Sequence, residues 1–378
     1  MSRFLRFLIL LTIVLHVPVV AAIARGAQRV GIARPWLVGV AVGVVGIGLF
    51  LGRARAAMPD RRRHGAVVWL VDIPYFIHWC ACLFTIVPAI LGSIIAPIVQ
   101  LVRGVPLTVP MDLYLVTYAL GLVVCGYGIL VRRRWFYVRE VEIVLAGLAP
   151  SFDGYRIAHL SDLHIGSTTP RAWGERWSRA ANARSPDLVV VTGDMVTSGT
   201  DFHHDIAAVI GVLQAKDGVF VSMGNHDYFG EGELIELISA RGARVLRNEG
   251  LVIERGSGQI YLAAIDDTWT KRDDMDLALA KRPANMPTIL LAHDPVRFRD
   301  AAERGVALTL SGHTHGGQIA VPFLYRWLSL SHLAHPFHVG LYARDAAQLY
   351  VHPGLGTTGP PMRLGSAPAV VMITLRAA

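Results

Sequence analysis

The sequence predicts an α/β protein in which a multi-span helical membrane region precedes a soluble domain with a largely parallel sheet. Its 378 residues exceed one average domain, so two or so folding units are expected. Long apolar segments fill residues 1–135, whereas from Val138 onward short apolar runs alternate with longer mixed segments. That alternation is typical of a fold with repeated strand–helix units, so the soluble domain is expected over residues 138–378.

Four apolar segments are about long enough to cross a membrane, which takes about 20 residues each. They lie near residues 7–24, 36–52, 66–90 and 111–131. The first segment could be a signal peptide, since Arg3 and Arg6 precede it. We favour an uncleaved anchor, because a second segment follows at once without a convincing small-residue cleavage site. After residue 90 we expect a kinked or interfacial piece, because Pro88 and Pro97 interrupt the run.

The charge is divided unequally along the chain. Residues 1–139 carry 15 arginines and three aspartates, a net +12, whereas the remaining 21 basic and 25 acidic residues give −4. The soluble domain is therefore not expected to bind nucleic acid. With four spans, eleven arginines lie on the face shared with this domain and four on the other, which predicts a cytoplasmic domain at the cell (inner) membrane. If residues 66–102 crossed twice, the domain would change sides.

Six apolar runs beyond the membrane region are predicted to be buried strands. They are residues 155–162, 188–194, 219–225, 260–267, 288–294 and 308–313. Five segments between or beside them suit helices by length and pattern. These are residues 171–184, 203–214, 231–241, 273–281 and 295–304. In such a sheet, ligands bind at the carboxyl ends of the strands, so the residues at those ends are informative.

Five of these strand ends carry only Asp, Asn and His as potential ligands. The candidate ligands at these ends are Asp162, His164, Asp194, Asn225, His226, Asp227, His293, His313 and His315. A single Asp at a strand end is more often a helix cap. Five such ends together, with no cysteine among them, form a set of oxygen and nitrogen donors that suits Zn, Mn or Fe.

The spacing of these residues is consistent with a metal site. In an extended segment residues i and i+2 point to the same side, so Asp162 and His164 are expected to reach one ion. His313 and His315 leave a strand for a glycine-rich turn, where each can serve one of two neighbouring ions. Asp194 has two carboxylate oxygens and can bridge both ions.

The order of motifs, D-x-H, G-D, G-N-H-D, a single His after an apolar strand, and G-H-T-H, resembles the calcineurin-like metallophosphoesterase superfamily. The ending GLGTTGPPMRLGSAP at 354–368 resembles the bacterial membrane-associated branch that includes UDP-2,3-diacylglucosamine pyrophosphatases. An Arg often precedes Gly-Leu-Gly in that branch, whereas His352 and Pro353 stand here.

The resemblance implies a four-layer α/β/β/α sandwich with two divalent metal ions (Mn, Zn or Fe) between strand ends. By position, Asp162, His164, Asp194 and His315 would hold one ion, and the other would be held by Asp194, Asn225, His293 and His313. His226 would stabilise or protonate the leaving oxygen, and Asp227 would orient its imidazole.

These expectations together predict a membrane-anchored dinuclear-metal phosphoesterase that hydrolyses a phosphate ester or pyrophosphate by attack of a metal-bridging hydroxide. The leading substrate hypothesis is a lipid-linked molecule such as UDP-2,3-diacylglucosamine. Alternatives are a membrane scaffold or sensor that binds a nucleotide or lipid without turnover, and a transporter with a soluble regulatory domain. Asp72 and His78, which lie within the third segment, are interpreted as interfacial residues. Six histidines that match no motif are expected to be core or surface residues: His159, His203, His204, His332, His335 and His338.

Overall fold

The computed structural model describes residues 3–56, 60–106, 110–320, 331–332 and 335–378. The chain divides into two compact units. Unit 1 consists of Met1–Met58 and Arg63–Val131, and unit 2 of Pro59–Arg62 and Arg132–Ala378. Pro59–Arg62 therefore belongs with the C-terminal residues. The sequence predicted a single division of the chain at residues 135–138 and did not place this segment in the second unit.

Unit 1 is helical. Its elements are α1 (Arg3–Arg29), α2 (Pro35–Ala56), α3 (Gly65–Val67), the π-helical Val68–Asp72, α4 (Ile73–Arg103) and α5 (Met111–Leu130). Within the part of unit 1 that the structure describes, four helical stretches are long and apolar enough to cross a membrane. Glycines allow α1 and α2 to pack closely, since a Cβ on Gly39 would lie 2.3 Å from the Val20 carbonyl oxygen.

The third apolar stretch differs from its prediction. It is helical from Gly65 to Arg103, through Pro88 and Pro97, instead of ending near residue 90. Each proline removes one backbone hydrogen bond, but the apolar sequence continues on both sides and favours a helix in lipid, where such losses are tolerated. The helix ends at Gly104, whose left-handed φ of 68° is common after a last helical turn.

Among its described residues, unit 2 has twelve strands and the five further helices named below. The strands are β1 (Tyr137–Leu145), β2 (Arg156–Leu160), β3 (Leu188–Thr192), β4 (Val219–Ser222), β5 (Arg244–Val245), β6 (Glu249–Arg255), β7 (Gly258–Ala264), β8 (Thr288–Leu291), β9 (Leu308–Ser311), β10 (Gly340–Arg344), β11 (Ala347–Val351) and β12 (Ala369–Ala377). The helices are α6 (Arg171–Asn182), α7 (His203–Ile210), α8 (Glu231–Ser239), α9 (Met275–Leu279) and α10 (Phe298–Glu303).

The strands form two six-stranded sheets, in the orders β1-β12-β2-β3-β4-β5 and β10-β11-β9-β8-β7-β6. Strands β2 to β5 are parallel in the first sheet, and β7, β8, β9 and β11 are parallel in the second. The carboxyl ends of each parallel set therefore lie at one edge of their sheet. All six predicted strands and all five predicted helices are present.

Side chains alternate along the strands and build three apolar layers. On β3, Leu188 and Val190 pack in the core between the two sheets, whereas Val189 and Val191 pack in the core that contains Trp177 of α6. A third core joins the outer face of the second sheet to Met275 and Ala278 of α9 and to Ala301 of α10. The predicted α/β/β/α sandwich is confirmed.

Candidate metal centre

The predicted ligands lie just beyond the strands, in a backbone conformation that the sequence does not reveal. β2 ends at Leu160, and φ is 53° at Asp162 and 42° at His164. These residues are therefore left-handed and not extended as predicted, although their side chains do lie in one group. Asp194, His313 and His315 have positive φ as well. Such residues cost about 1–3 kcal/mol each and persist where the surrounding structure enforces them.

The surrounding hydrogen bonds enforce this conformation. The Asp162 amide donates to the Gly193 carbonyl at 3.0 Å, and the His164 amide donates to the Asp194 carbonyl at 3.0 Å. The ladder between β2 and β3 is thus continued by bonds between the two loops that follow these strands. The loops hold Asp162, His164 and Asp194 in a fixed register.

The first group of four predicted ligands, Asp162, His164, Asp194 and His315, is assembled and buried. The Nε2 atoms of His164 and His315 are 3.1 Å apart. Asp162 Oδ1 lies 3.4 Å from His315 Nε2, and Asp194 Oδ2 lies 3.5 Å from His164 Nε2. Four potential donor atoms therefore surround one point.

The second group forms on the other side of Asp194. Its Oδ2 atom lies 3.3 Å from His293 Nε2, and His313 Nδ1 lies 3.3 Å from the same nitrogen. The side-chain oxygen of Asn225 is 3.1 Å from His313 Nδ1. All seven predicted ligands are thus brought together, and Asp194 belongs to both groups.

The hydrogen bonds of two imidazoles leave their inner nitrogens free to bind a cation. His164 Nδ1 lies 3.0 Å from the Val196 carbonyl, and His293 Nδ1 lies 2.7 Å from the Thr192 carbonyl. A carbonyl only accepts, so in each neutral ring Nδ1 carries the hydrogen and Nε2 presents its lone pair to the centre.

An orphaned carboxylate oxygen supports the same interpretation. Asp162 Oδ2 is buried and has no hydrogen-bond partner among the residues that the structure describes. A buried acceptor without a partner costs about 1–3 kcal/mol. The oxygen and imidazole donors fit a transition-metal ion, which would supply that partner.

The pKa shifts show which charges are present before any cation binds. Burial lowers the pKa of His164 to about 3 and that of His313 to about 4, so both rings are neutral at pH 7. Burial alone would raise the pKa of Asp194, but the His293 imidazole beside it holds that pKa well below its usual range. The Asp194 carboxylate in turn raises the pKa of His293, against the effect of burial. A bound cation would replace the proton on His293.

His226 lies beside these groups, but Asp227 does not orient it as predicted. The His226 Nδ1 atom lies 2.6 Å from the Thr197 carbonyl, which fixes the ring. The Asp227 carboxylate instead accepts hydrogen bonds from the amides of Met195 (2.8 Å), Val196 (3.0 Å) and Gly224 (2.9 Å). Three amide donors occupy this carboxylate, so Asp227 positions the loop that carries Asp194, and the expectation that it acts on His226 is corrected.

Arg363 is a buried residue near the site that the sequence analysis did not identify. Its guanidinium donates to the Pro353 carbonyl at 2.8 Å and to the Gly356 carbonyl at 2.7 Å. The Gly356 amide in turn donates to the Asp162 carbonyl at 2.7 Å. His352 is buried as well, and its Nδ1 accepts from the Gly354 amide at 2.9 Å. Both side chains hold the turn at 353–356, which the Gly356 amide joins to the Asp162 loop.

Two aromatic rings flank His313 on the second side of the centre. The Trp269 ring lies 5.3 Å from the His313 ring, and the His335 ring also lies 5.3 Å from it. Trp269 is exposed, and its Nε1 donates to Asp294 Oδ2 at 3.0 Å. His335, predicted to be an ordinary core or surface residue, therefore adjoins the site. No motif signals it, because it lies twenty residues beyond His315.

The sequence comparisons agree with this arrangement. Residues 155–317 match the calcineurin-like phosphoesterase family. The chain is similar to the metallophosphoesterase YkuE of Bacillus subtilis, with 30% identity over 66% of this chain and 89% of that protein. It is also similar to a metallophosphoesterase of Aquifex aeolicus, with 32% identity over 58% of this chain and 85% of that protein. The chain belongs to the calcineurin-like phosphoesterase family.

A further family member is a transmembrane protein with metallophosphoesterase domain from Danio rerio. It is 34% identical over 272 residues, which make up 68% of this chain and 61% of the relative. The chain thus spans less than two thirds of this relative's length. The name of this relative combines a transmembrane protein with a metallophosphoesterase domain.

Gly224 allows us to test how tightly the centre is packed. A Cβ there would lie 2.4 Å from both the amide nitrogen and Oδ1 of Asp194, so Gly224→Ala must displace Asp194. We expect bound metal to fall by at least half and stability to fall by about 1–3 kcal/mol. The control is Gly232→Ala in α8, where a Cβ has open space. Elemental analysis measures the bound metal, and thermal unfolding measures the stability. Equal metal content in the two variants would show that Asp194 does not need a glycine at position 224.

Proposed function

We propose that the chain is a phosphoesterase whose site holds two divalent metal ions, Mn, Zn or Fe. The observation that carries the proposal is the shared carboxylate of Asp194, whose Oδ2 lies 3.5 Å from His164 Nε2 and 3.3 Å from His293 Nε2. When bound, two such ions lower the pKa of a water and stabilise charge on the attacking and departing oxygens. Asp162, His164 and His315 would complete one coordination sphere, and Asn225, His293 and His313 the other.

His226 is proposed as the residue that assists the leaving group. Its Nδ1 is bound to the Thr197 carbonyl, so the ring can carry a second proton on Nε2 and donate it to a departing oxygen. The His226 amide also donates to Asp194 Oδ1 at 3.0 Å. The shared carboxylate therefore fixes the position of this residue as well as the metal ligands.

The proposed substrate is a lipid-linked phosphate or pyrophosphate, with UDP-2,3-diacylglucosamine as the leading case. Apolar helices in the same chain favour a substrate that resides in the membrane. We also infer a cytoplasmic domain at the cell membrane, because eleven arginines lie on its side of the predicted spans and four on the other.

A cationic cavity of about 210 Å³ in unit 2 supports binding of a phosphorylated head group. Its lining includes Arg132, Tyr137, Arg139, Pro353 and Ser366. Pro353 precedes Gly354, where a Cβ would lie 3.1 Å from His315 Nδ1. The cavity therefore adjoins the turn that packs on the first group of ligands. Arginine is well suited to bind a phosphate there, because its guanidinium can donate two parallel hydrogen bonds to one phosphate group.

The first test is metal dependence. A chelator should abolish hydrolysis of a chromogenic phosphodiester, and added Mn²⁺ should restore it. Asp194→Ala should lose both bound metal and activity, because its carboxylate is shared. Asp276→Ala, which changes an exposed carboxylate in α9, is the control and should retain both. Retention of both ions in Asp194→Ala would refute the assignment, whereas metal binding without turnover of any substrate in the wild type would favour a sensor.

The second test separates metal binding from proton transfer. His226→Ala should keep its metal ions while kcat falls on the order of 10²–10⁴-fold, the usual range for a lost general acid. The loss should be smaller for an ester with a good leaving group, because that group departs without a proton. His204→Ala, at an exposed position, is the matched control. Undiminished hydrolysis of poor leaving groups by His226→Ala would rule out this role.

The third test addresses the substrate. The full-length chain in lipid nanodiscs is given UDP-2,3-diacylglucosamine or a soluble chromogenic diester. Arg139→Gln should raise KM for the lipid about 10-fold, since a hydrogen bond to a charged group contributes about 1.5–3 kcal/mol, and should leave the diester unchanged. Arg344→Gln, at a surface ion pair with Glu303, is the control. Equal effects of Arg139→Gln on the lipid and on the diester would argue against a lipid substrate.

A further inference from the structure

Unit 1 contains a buried cluster of potential metal ligands that the phosphoesterase site does not use. His16 of α1 and His78 of α4 meet with their Nε2 atoms 3.1 Å apart. Cys82, one turn after His78, places its Sγ 3.9 Å from His78 Nε2. His16 and Cys82 are 2% and 0% exposed. His78, interpreted from the sequence as an interfacial residue, is half-buried and lies beside both of these side chains.

Each imidazole of this His–His–Cys cluster has a hydrogen-bond partner at Nδ1, the ring nitrogen that faces away from the cluster. His16 Nδ1 lies 2.7 Å from the Thr12 carbonyl, which only accepts, so this nitrogen carries the hydrogen and the Nε2 lone pair points to His78. His78 Nδ1 lies 2.7 Å from the Tyr118 hydroxyl of α5. An outer partner that fixes the ring is typical of a metal-binding histidine.

Gly46 of α2 packs directly against the two nitrogens. A Cβ at this position would lie 2.4 Å from His16 Nε2 and 3.0 Å from His78 Nε2. Any other residue would fill the region into which both nitrogens point. Gly48, two residues further along α2, has nothing within 4 Å of its ideal Cβ, so the helix does not need glycine there for packing.

A hydrogen-bonded network is the competing explanation. Tyr118 could donate to His78 Nδ1, and His78 Nε2–H could donate to His16 Nε2. The Cys82 thiol lies 3.2 Å from the His78 carbonyl, to which it can donate. This network accounts for the positions of the two rings, but it does not require a thiol 3.9 Å from His78 Nε2.

We propose that His16, His78 and Cys82 bind a soft transition-metal ion that links α1 to α4. Two imidazole nitrogens and a thiolate suit copper or zinc, whereas the absence of carboxylate from these three ligands disfavours magnesium and calcium. Binding replaces the thiol proton of Cys82, which leaves to solvent. The site does not depend on the proposed phosphoesterase activity.

The surroundings favour Cu⁺ over Zn²⁺. Leu15 and Val19 pack with Cys82 in the same apolar cluster, and a net charge is costly in such an environment. Cu⁺ with one thiolate and two neutral imidazoles is neutral, whereas Zn²⁺ with the same ligands carries a positive charge. Cu⁺ also accepts three ligands, the number that the cluster offers.

The test uses the full-length chain in detergent micelles, stripped of metal and loaded anaerobically with Cu⁺ or Zn²⁺. X-ray absorption at the metal edge should detect sulfur bound to the ion. The predicted phosphoesterase ligands contain no sulfur, so this signal distinguishes a cysteine-bound ion from ions at the phosphoesterase site. Cys82→Ser should remove the sulfur signal and lower the metal content by a single ion. Cys80→Ser and Cys125→Ser are matched controls at buried cysteines and should retain both.

A second pair of variants leaves every ligand in place. Gly46→Ala places a Cβ against the nitrogens and should abolish sulfur-bound metal, whereas Gly48→Ala should bind as the wild type does. Gel filtration and far-ultraviolet circular dichroism confirm that each variant is folded. If the wild type shows no sulfur-bound metal after loading with Cu⁺ and none after loading with Zn²⁺, the proposal is overturned in favour of the hydrogen-bonded network. A sulfur signal that persists in Cys82→Ser would overturn it as well.

Discussion

The shared carboxylate of Asp194 is the interaction on which the phosphoesterase site depends. It contacts His164 on one side and His293 on the other, and its remaining oxygen accepts the His226 amide. Its backbone is left-handed, and the absence of a side chain at Gly224 leaves room for it. One residue thus determines the separation of the two ligand groups and the position of the proposed acid, so changes around Asp194 are transmitted to both.

The central part of the fold could be predicted because its strands are buried on both faces. Runs such as Leu188–Thr192 are continuously apolar, end at polar residues and alternate with helices, which leaves few alternatives. Six strands were not predicted: β1, β5, β6, β10, β11 and β12. β1 exposes alternate residues and carries charges, as edge strands do, and β12 reaches its place beside β2 from the far end of the chain. Nothing local in β12 encodes that long-range pairing.

The grouping of the candidate ligands could also be predicted, because parallel strands bring their carboxyl ends together whatever the loops do. The direction of each side chain could not. Asp227 is adjacent to His226 in sequence, yet its carboxylate turns to three backbone amides. Arg363 and His335 reach the site from loops with no fixed spacing to any motif. Adjacency in a motif identifies which residues are near, whereas hydrogen bonds decide what each one does.

The loop between α2 and α3 shows that unit 2 is not formed by the C-terminal sequence alone. Asp60 is buried, accepts hydrogen bonds from the Ser167 amide and hydroxyl, and donates its own amide to Ser198. Ser167 follows the loop that carries His164, and Ser198 follows the loop that carries Asp194. Because Asp60 joins the two loops whose register fixes both ligand groups, a chain that began at residue 138 would retain all seven candidate ligands and still lack a residue that holds them in place.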